Sequence, residues 1–105
     1  YNFLFFYCIT VAIAAPEYYF KQISLKDGLS ESMVRCVLTD HKGLIWIGTH
    51  FGLNNFDRER VVNYYHDKKN PNSLPDNEIN FLVEDSLFNL WVSTAKGLAL
   101  YDRKK

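Results

Sequence analysis

The chain has 105 residues, room for one small domain, and its 12 Lys and Arg balance its 12 Asp and Glu. There is therefore no net field to attract nucleic acid or an acidic membrane, and charge names no partner. Aromatic residues reach 16%; they favour strands and supply much buried area per side chain, so the composition points to a β-rich fold.

From the N-terminus, Phe3 to Ala15 reads F-L-F-F-Y-C-I-T-V-A-I-A-A. This run is shorter than the roughly 20 apolar residues that span a bilayer, but it suits the core of a secretory signal followed by the A-x-A cleavage site Ala12-Ile13-Ala14. Cleavage is expected after Ala14, since cleavage after Ala15 would put Pro16 first. A buried core helix is the weaker alternative, because no polar face or helix cap accompanies the run, and continuation upstream would make it a signal anchor.

Tyr18 to Ser24 (Y-Y-F-K-Q-I-S) reads as a strand, and Lys26-Asp27-Gly28 as a turn. Strands are expected over Met33–Thr39, Leu44–Thr49, Leu53–Asp57 and Val61–Tyr65, then over Glu78–Glu84, Leu90–Thr94 and Leu98–Asp102. Between the two sets, Asp67 to Ser73 is a polar loop of turn formers.

The two sets are copies. Asp40, Trp46, Thr49, Gly52, Leu53, Asp57 and Arg58 recur as Asp85, Trp91, Thr94, Gly97, Leu98, Asp102 and Arg103, each displaced by 45 residues without a gap. A repeat of this period with four strands per copy is a propeller blade. The expected fold is therefore all-β, a fragment of a β-propeller. One blade is complete, a second is truncated, and the N-terminal strand resembles the last strand of a preceding blade. In a closed ring that strand would complete the final blade and remove open edges. The expected divisions are 1–14 for the signal, 15–27 for the N-terminal strand and turn, 28–72 for the first repeat and 73–105 for the second.

The repeated residues suggest blade structure. Leu44 to Thr49 is apolar in both alternating sets and should be buried on both faces, with Trp46 and Trp91 filling the space between blades. Gly48 permits close backbone approach, and Ser93 is its small equivalent. Gly43, Gly52 and Gly97 suit tight turns, and Asp57 and Asp102 can bond local N–H groups where the third strand ends. Phe88 stands where the first repeat has Gly43, so either Asn89 takes the left-handed position or the turn differs.

Catalytic roles for these residues are not expected, since ligand and catalytic sites tend to break repeat symmetry. His41, His50 and His66 share no metal-ligand spacing and are expected to be solvated. Cys8 lies in the leader and Cys36 in a strand, where it reads as a small buried hydrophobe rather than part of a disulfide or metal framework. No cofactor is expected.

From Ser32 to Asp57 the first copy reads S-M-V-R-C-V-L-T-D-H-K-G-L-I-W-I-G-T-H-F-G-L-N-N-F-D. It resembles the two-component regulator propeller repeat, and F-K-Q-I-S-L-K-D-G-L-S-E-S, Phe20 to Ser32, resembles the entry segment of such proteins. Departures are Ser32 for the usual Asn, and Phe88 and Ser93 for glycines in the second copy. The resemblance implies the N-terminal part of the periplasmic sensor of a Bacteroidetes-type hybrid regulator anchored in the inner membrane. There, seven-bladed propellers and a β-sandwich precede a transmembrane helix, a histidine kinase and often an AraC-type DNA-binding domain. It implies a noncatalytic ligand-sensing module answering to glycan-derived oligosaccharides. Its partners would be the remaining blades, an oligosaccharide, a membrane reached only through a downstream helix and a second subunit, with no nucleic acid in this stretch. An exported propeller enzyme such as a polysaccharide lyase, or a protein-binding scaffold, are the alternatives. No ligand residue carries over from the family.

Overall fold

A computed structural model describes residues 17–103. The apolar leader, Cys8 and the expected cleavage site lie outside the described residues. A short 3-10 turn, Leu25–Asp27, leads into seven strands: β1 (Val34–Thr39), β2 (Ile45–Thr49), β3 (Gly52–Phe56), β4 (Val61–Tyr64), β5 (Ile79–Glu84), β6 (Leu90–Thr94) and β7 (Gly97–Tyr101). They form two antiparallel sheets, β1-β2-β3-β4 and β5-β6-β7. This is the all-β blade architecture that the repeat predicts, with boundaries displaced by about one residue.

The copies also share their register. Val37 opposite Ile47 in the first sheet corresponds to Leu82 opposite Val92 in the second, and each first strand pair carries an irregularity at the same place, between Val34 and Cys36 and between Ile79 and Phe81. Such a bulge bends the strand and increases its twist, so both blades carry the same local kink.

One expected element is absent. Tyr18 to Ser24 forms no strand, and Tyr18, Tyr19 and Phe20 are 79%, 85% and 96% exposed. A strand needs a neighbour to satisfy its backbone donors and acceptors, and among the described residues no strand pairs with this segment. The turn that follows does form: Gly28 takes φ 104 and its N–H closes on the Leu25 carbonyl at 3.1 Å.

The core lies between the sheets. Trp46 and Leu53 of the first pack with Ile79, Leu82, Leu90 and Val92 of the second. β2 is buried on both faces, as its uninterrupted apolar pattern requires. Gly48 makes this packing possible: a Cβ there would sit 2.5 Å from both Cys36 Sγ and Ile79 Cγ2. The half-buried Cys36 thus packs under the glycine as a small apolar group, and burial pushes its thiol pKa up.

The turn at Phe88 resolves in favour of Phe88 itself, which adopts φ 66 where Gly43 adopts φ 84. An aromatic residue in the left-handed region is strained. The Phe88 ring stacks on His41 with centroids 4.1 Å apart, a contact that offsets part of this strain.

Candidate functional site

The repeated aspartates and tryptophans are tied to each other. Asp40 follows β1, where its Oδ1 accepts the amide N–H groups of Lys42 and Leu44, both at 2.9 Å, and its Oδ2 accepts Trp46 Nε1–H at 2.9 Å. Asp85 repeats the pattern: Oδ1 accepts from the Leu87 and Asn89 amides, and Oδ2 from Trp91 Nε1–H at 3.0 Å. The spacing from Asp to Trp lets one carboxylate close the hairpin and satisfy the indole donor. Burial raises the Asp40 pKa, but Trp46, the two amides and Arg103 outweigh it, and the carboxyl ends below its ordinary range. Asp85, held mainly by Trp91 and by the Asn89 amide, falls to about 2.

Thr49 and Thr94 clasp the next hairpin. Thr49 Oγ1 donates to the Gly52 carbonyl at 3.0 Å and accepts the Phe51 N–H; Thr94 Oγ1 donates to the Gly97 carbonyl at 2.7 Å and accepts the Lys96 N–H. At the end of the third strand, Asp57 Oδ1 accepts the Glu59 and Arg60 amides, holding its carboxyl below the usual range. These donors and acceptors serve the backbone, which is the chemistry of a scaffold.

The copies then diverge. Leu53 is buried whereas its counterpart Leu98 is exposed on β7, and Trp46 is buried whereas Trp91 is half-buried. Asn54, fully buried, donates Nδ2–H to Ser30 Oγ and to the Ile47 carbonyl, while its Oδ1 accepts from the Ser30 amide and Asn63 Nδ2. This network pins the incoming segment to β3. Its equivalents in the second copy, Pro75 and Ala99, cannot make it.

Charged groups bolt both ends of the seam. At one end Arg103 Nη1 donates to Glu84 Oε2 at 3.1 Å, and Nη2 lies 3.4 Å from Asp40 Oδ2 of the other blade. His41 joins this set through Nδ1, 2.7 Å from Glu84 Oε2. At the other end Arg35 Nη1 donates to Glu78 Oε2 at 2.9 Å and lies 3.3 Å from His50 Nδ1. His66 Nδ1 meets the Leu74 carbonyl at 2.6 Å. The histidines are therefore engaged rather than merely solvated, because the fold brings each beside a hydrogen-bonding partner, for His41 one in the other blade. Arg103 was visible only as the repeat of Arg58, which donates Nη1–H to the Gly43 carbonyl of its own blade.

Beside the first bolt lies a groove of about 450 Å³, lined by His41, Phe88, Leu100, Tyr101 and Arg103 among others. Among the described residues no group of three or more His, Cys, Asp or Glu is placed to hold a metal, and no helix is long and apolar enough to cross a membrane.

Residues 28–51 match the family described as Two component regulator propeller. The chain is 33% identical over 69 residues, 66% of its length, to Histidine kinase P4 of Formosa agariphila, and spans 5% of that protein. It superposes on the extracellular domain assigned to a hybrid two component system of B. thetaiotaomicron with a TM-score of 0.74 at 28% identity, covering 80% of this chain and 12% of that one. A second extracellular domain so assigned, from the same organism, gives 0.61 at 29% identity, covering 64% of this chain and 9% of the other.

Proposed function

We propose, from the premise that this chain carries repeats of the two component regulator propeller family, that its blades form part of an extracytoplasmic, noncatalytic ligand-sensing module of a signal-transducing regulator. The observation that carries this reading is its likeness, over most of its described length, to the extracellular domains of such systems. The geometry is consistent with it, because the repeated carboxylates and hydroxyls are spent on hairpins and indoles rather than presented to a substrate. On this reading the protein is exported to the periplasm, the remaining blades complete the ring, and a membrane segment and kinase domain lie elsewhere in the parent.

A glycan-derived oligosaccharide is the proposed ligand class. Calorimetry or thermal-shift measurement of the intact sensor region against a panel of oligosaccharides tests it. A saturable heat or a raised melting temperature with one glycan class is expected. Turnover of a glycan by the same protein, or a flat response across the panel, would overturn the noncatalytic or the carbohydrate part of the reading, respectively.

A further inference from the structure

Three polar atoms at the seam form a closed triangle. His41 Nδ1 is 2.7 Å from Glu84 Oε2 and 3.0 Å from Arg103 Nη1, and Nη1 is 3.1 Å from the same Oε2. An imidazole nitrogen carries in the ring plane either a proton or a lone pair. Nδ1 can therefore donate to Glu84 or accept from Arg103, but it cannot do both, and a guanidinium can only donate.

We propose that this triangle is a proton-operated joint between the two blades. With His41 neutral and its proton on Nε2, Nδ1 accepts from Arg103, and Glu84 is held by Arg103 and by the His41 backbone N–H, 3.2 Å away. With the ring protonated, Nδ1–H donates to Glu84. The freed guanidinium turns toward Asp40 Oδ2, which already lies 3.4 Å from Nη2.

The surrounding charges support the exchange. Within the triangle and its extension, Arg103 faces two carboxylates, Glu84 and Asp40, so the ring proton brings the local charge to balance. The other charged groups here include Lys42 beside His41, Arg58 on the Gly43 carbonyl of the same turn, Asp85 beside Glu84 with its carboxylate taken by Trp91, and Asp102 beside Arg103. The two Arg103 atoms Nε and Nη2 are buried without a hydrogen bond, so the guanidinium has donors to spare when it turns. Phe88 stacks on the same imidazole, so ring movement passes to the strained turn and to the adjoining groove.

The test is ¹⁵N NMR of the histidine-labelled protein between about pH 5 and pH 8, the interval in which imidazoles change charge, with His41→Gln used to assign the signal. Above its midpoint His41 is expected as the Nε2–H tautomer, converting to imidazolium on acidification together with a shift of the Phe88 ring resonances. Arg103→Leu, which removes the donor to Nδ1, should move the neutral ring toward the Nδ1–H tautomer, whose proton Glu84 accepts. A proton resting on Nδ1 at high pH in the wild type, or a tautomer that Arg103→Leu leaves unchanged, would overturn the joint. If either variant fails to fold, the wild-type tautomer decides alone.

Discussion

The two copies of the repeat have the same register, the same bulge and the same Asp–Trp tie, yet they bury their residues differently. In the first, Trp46 is 1% exposed, and Asn54 bonds the incoming segment to β3. In the second, Trp91 is half-buried, Ala99 replaces Asn54, and Phe88 occupies a backbone position that the first copy gives to glycine. What recurs is therefore the machinery of a single hairpin. What differs is how each hairpin meets its neighbours, because burial depends on the sheet packed alongside rather than on local pattern.

The tryptophans test this most sharply. Trp46→Ala should cost about 3–5 kcal/mol by denaturant unfolding, through lost burial and the loss of the indole donor to Asp40 Oδ2. Trp91→Ala should cost about half as much, since part of that side chain remains in water. Equal losses would mean that both copies are equally packed.

Gly48→Ala should cost about 1–3 kcal/mol, because the added methyl meets Cys36 and Ile79 at 2.5 Å. Ser93→Ala, at the equivalent position, should remain within about 1 kcal/mol in the same measurement. Asn54→Ala should lose about 1–3 kcal/mol by leaving the Ser30 amide short of its acceptor.

Acid should test the Asp–Trp tie of the second copy. A carboxyl whose folded pKa is depressed contributes stability above its unfolded pKa and loses it as pH falls through the folded value. For Asp85 that window runs from about 4, the ordinary carboxyl value, down to about 2. Melting temperatures should fall across it, and Trp91→Phe, which removes the largest interaction lowering that pKa, should flatten the Asp85 contribution. An unchanged acid profile in the variant would break the assignment.

The smallest effect is expected at the turn. Phe88→Gly relieves about 1 kcal/mol of backbone strain but loses a ring stack of about 0.5–1.5 kcal/mol, so stability should change by less than about 1 kcal/mol. A large loss would show that the His41 stack supports more of the seam than its own contact.

Much of this was legible in the residues themselves. Alternation and turn chemistry locate the seven strands, and the displacement of Asp40 to Asp85 and Trp46 to Trp91 identifies them as copies. The unbroken apolar run in β2 announces burial on both faces. The strand expected over Tyr18–Ser24, as the closing strand of a final blade, does not form: aromatic alternation makes a segment suitable for a ladder but supplies no partner for it. The Asp–Trp tie was present as a recurring spacing, but spacing alone does not reveal which atoms meet.

The sequence by itself determined the blade, because hairpin closure, turn geometry and facial burial act over a few residues and repeat wherever those residues repeat. Only the tertiary structure decided the seam. Arg58 and Arg103 are equivalent by period, yet Arg58 bonds the Gly43 carbonyl of its own blade while Arg103 reaches Asp40 and His41 of the other. Periodicity states which residues are alike. It cannot state which copies face each other, and the paired charges of the seam exist only once two sheets have docked.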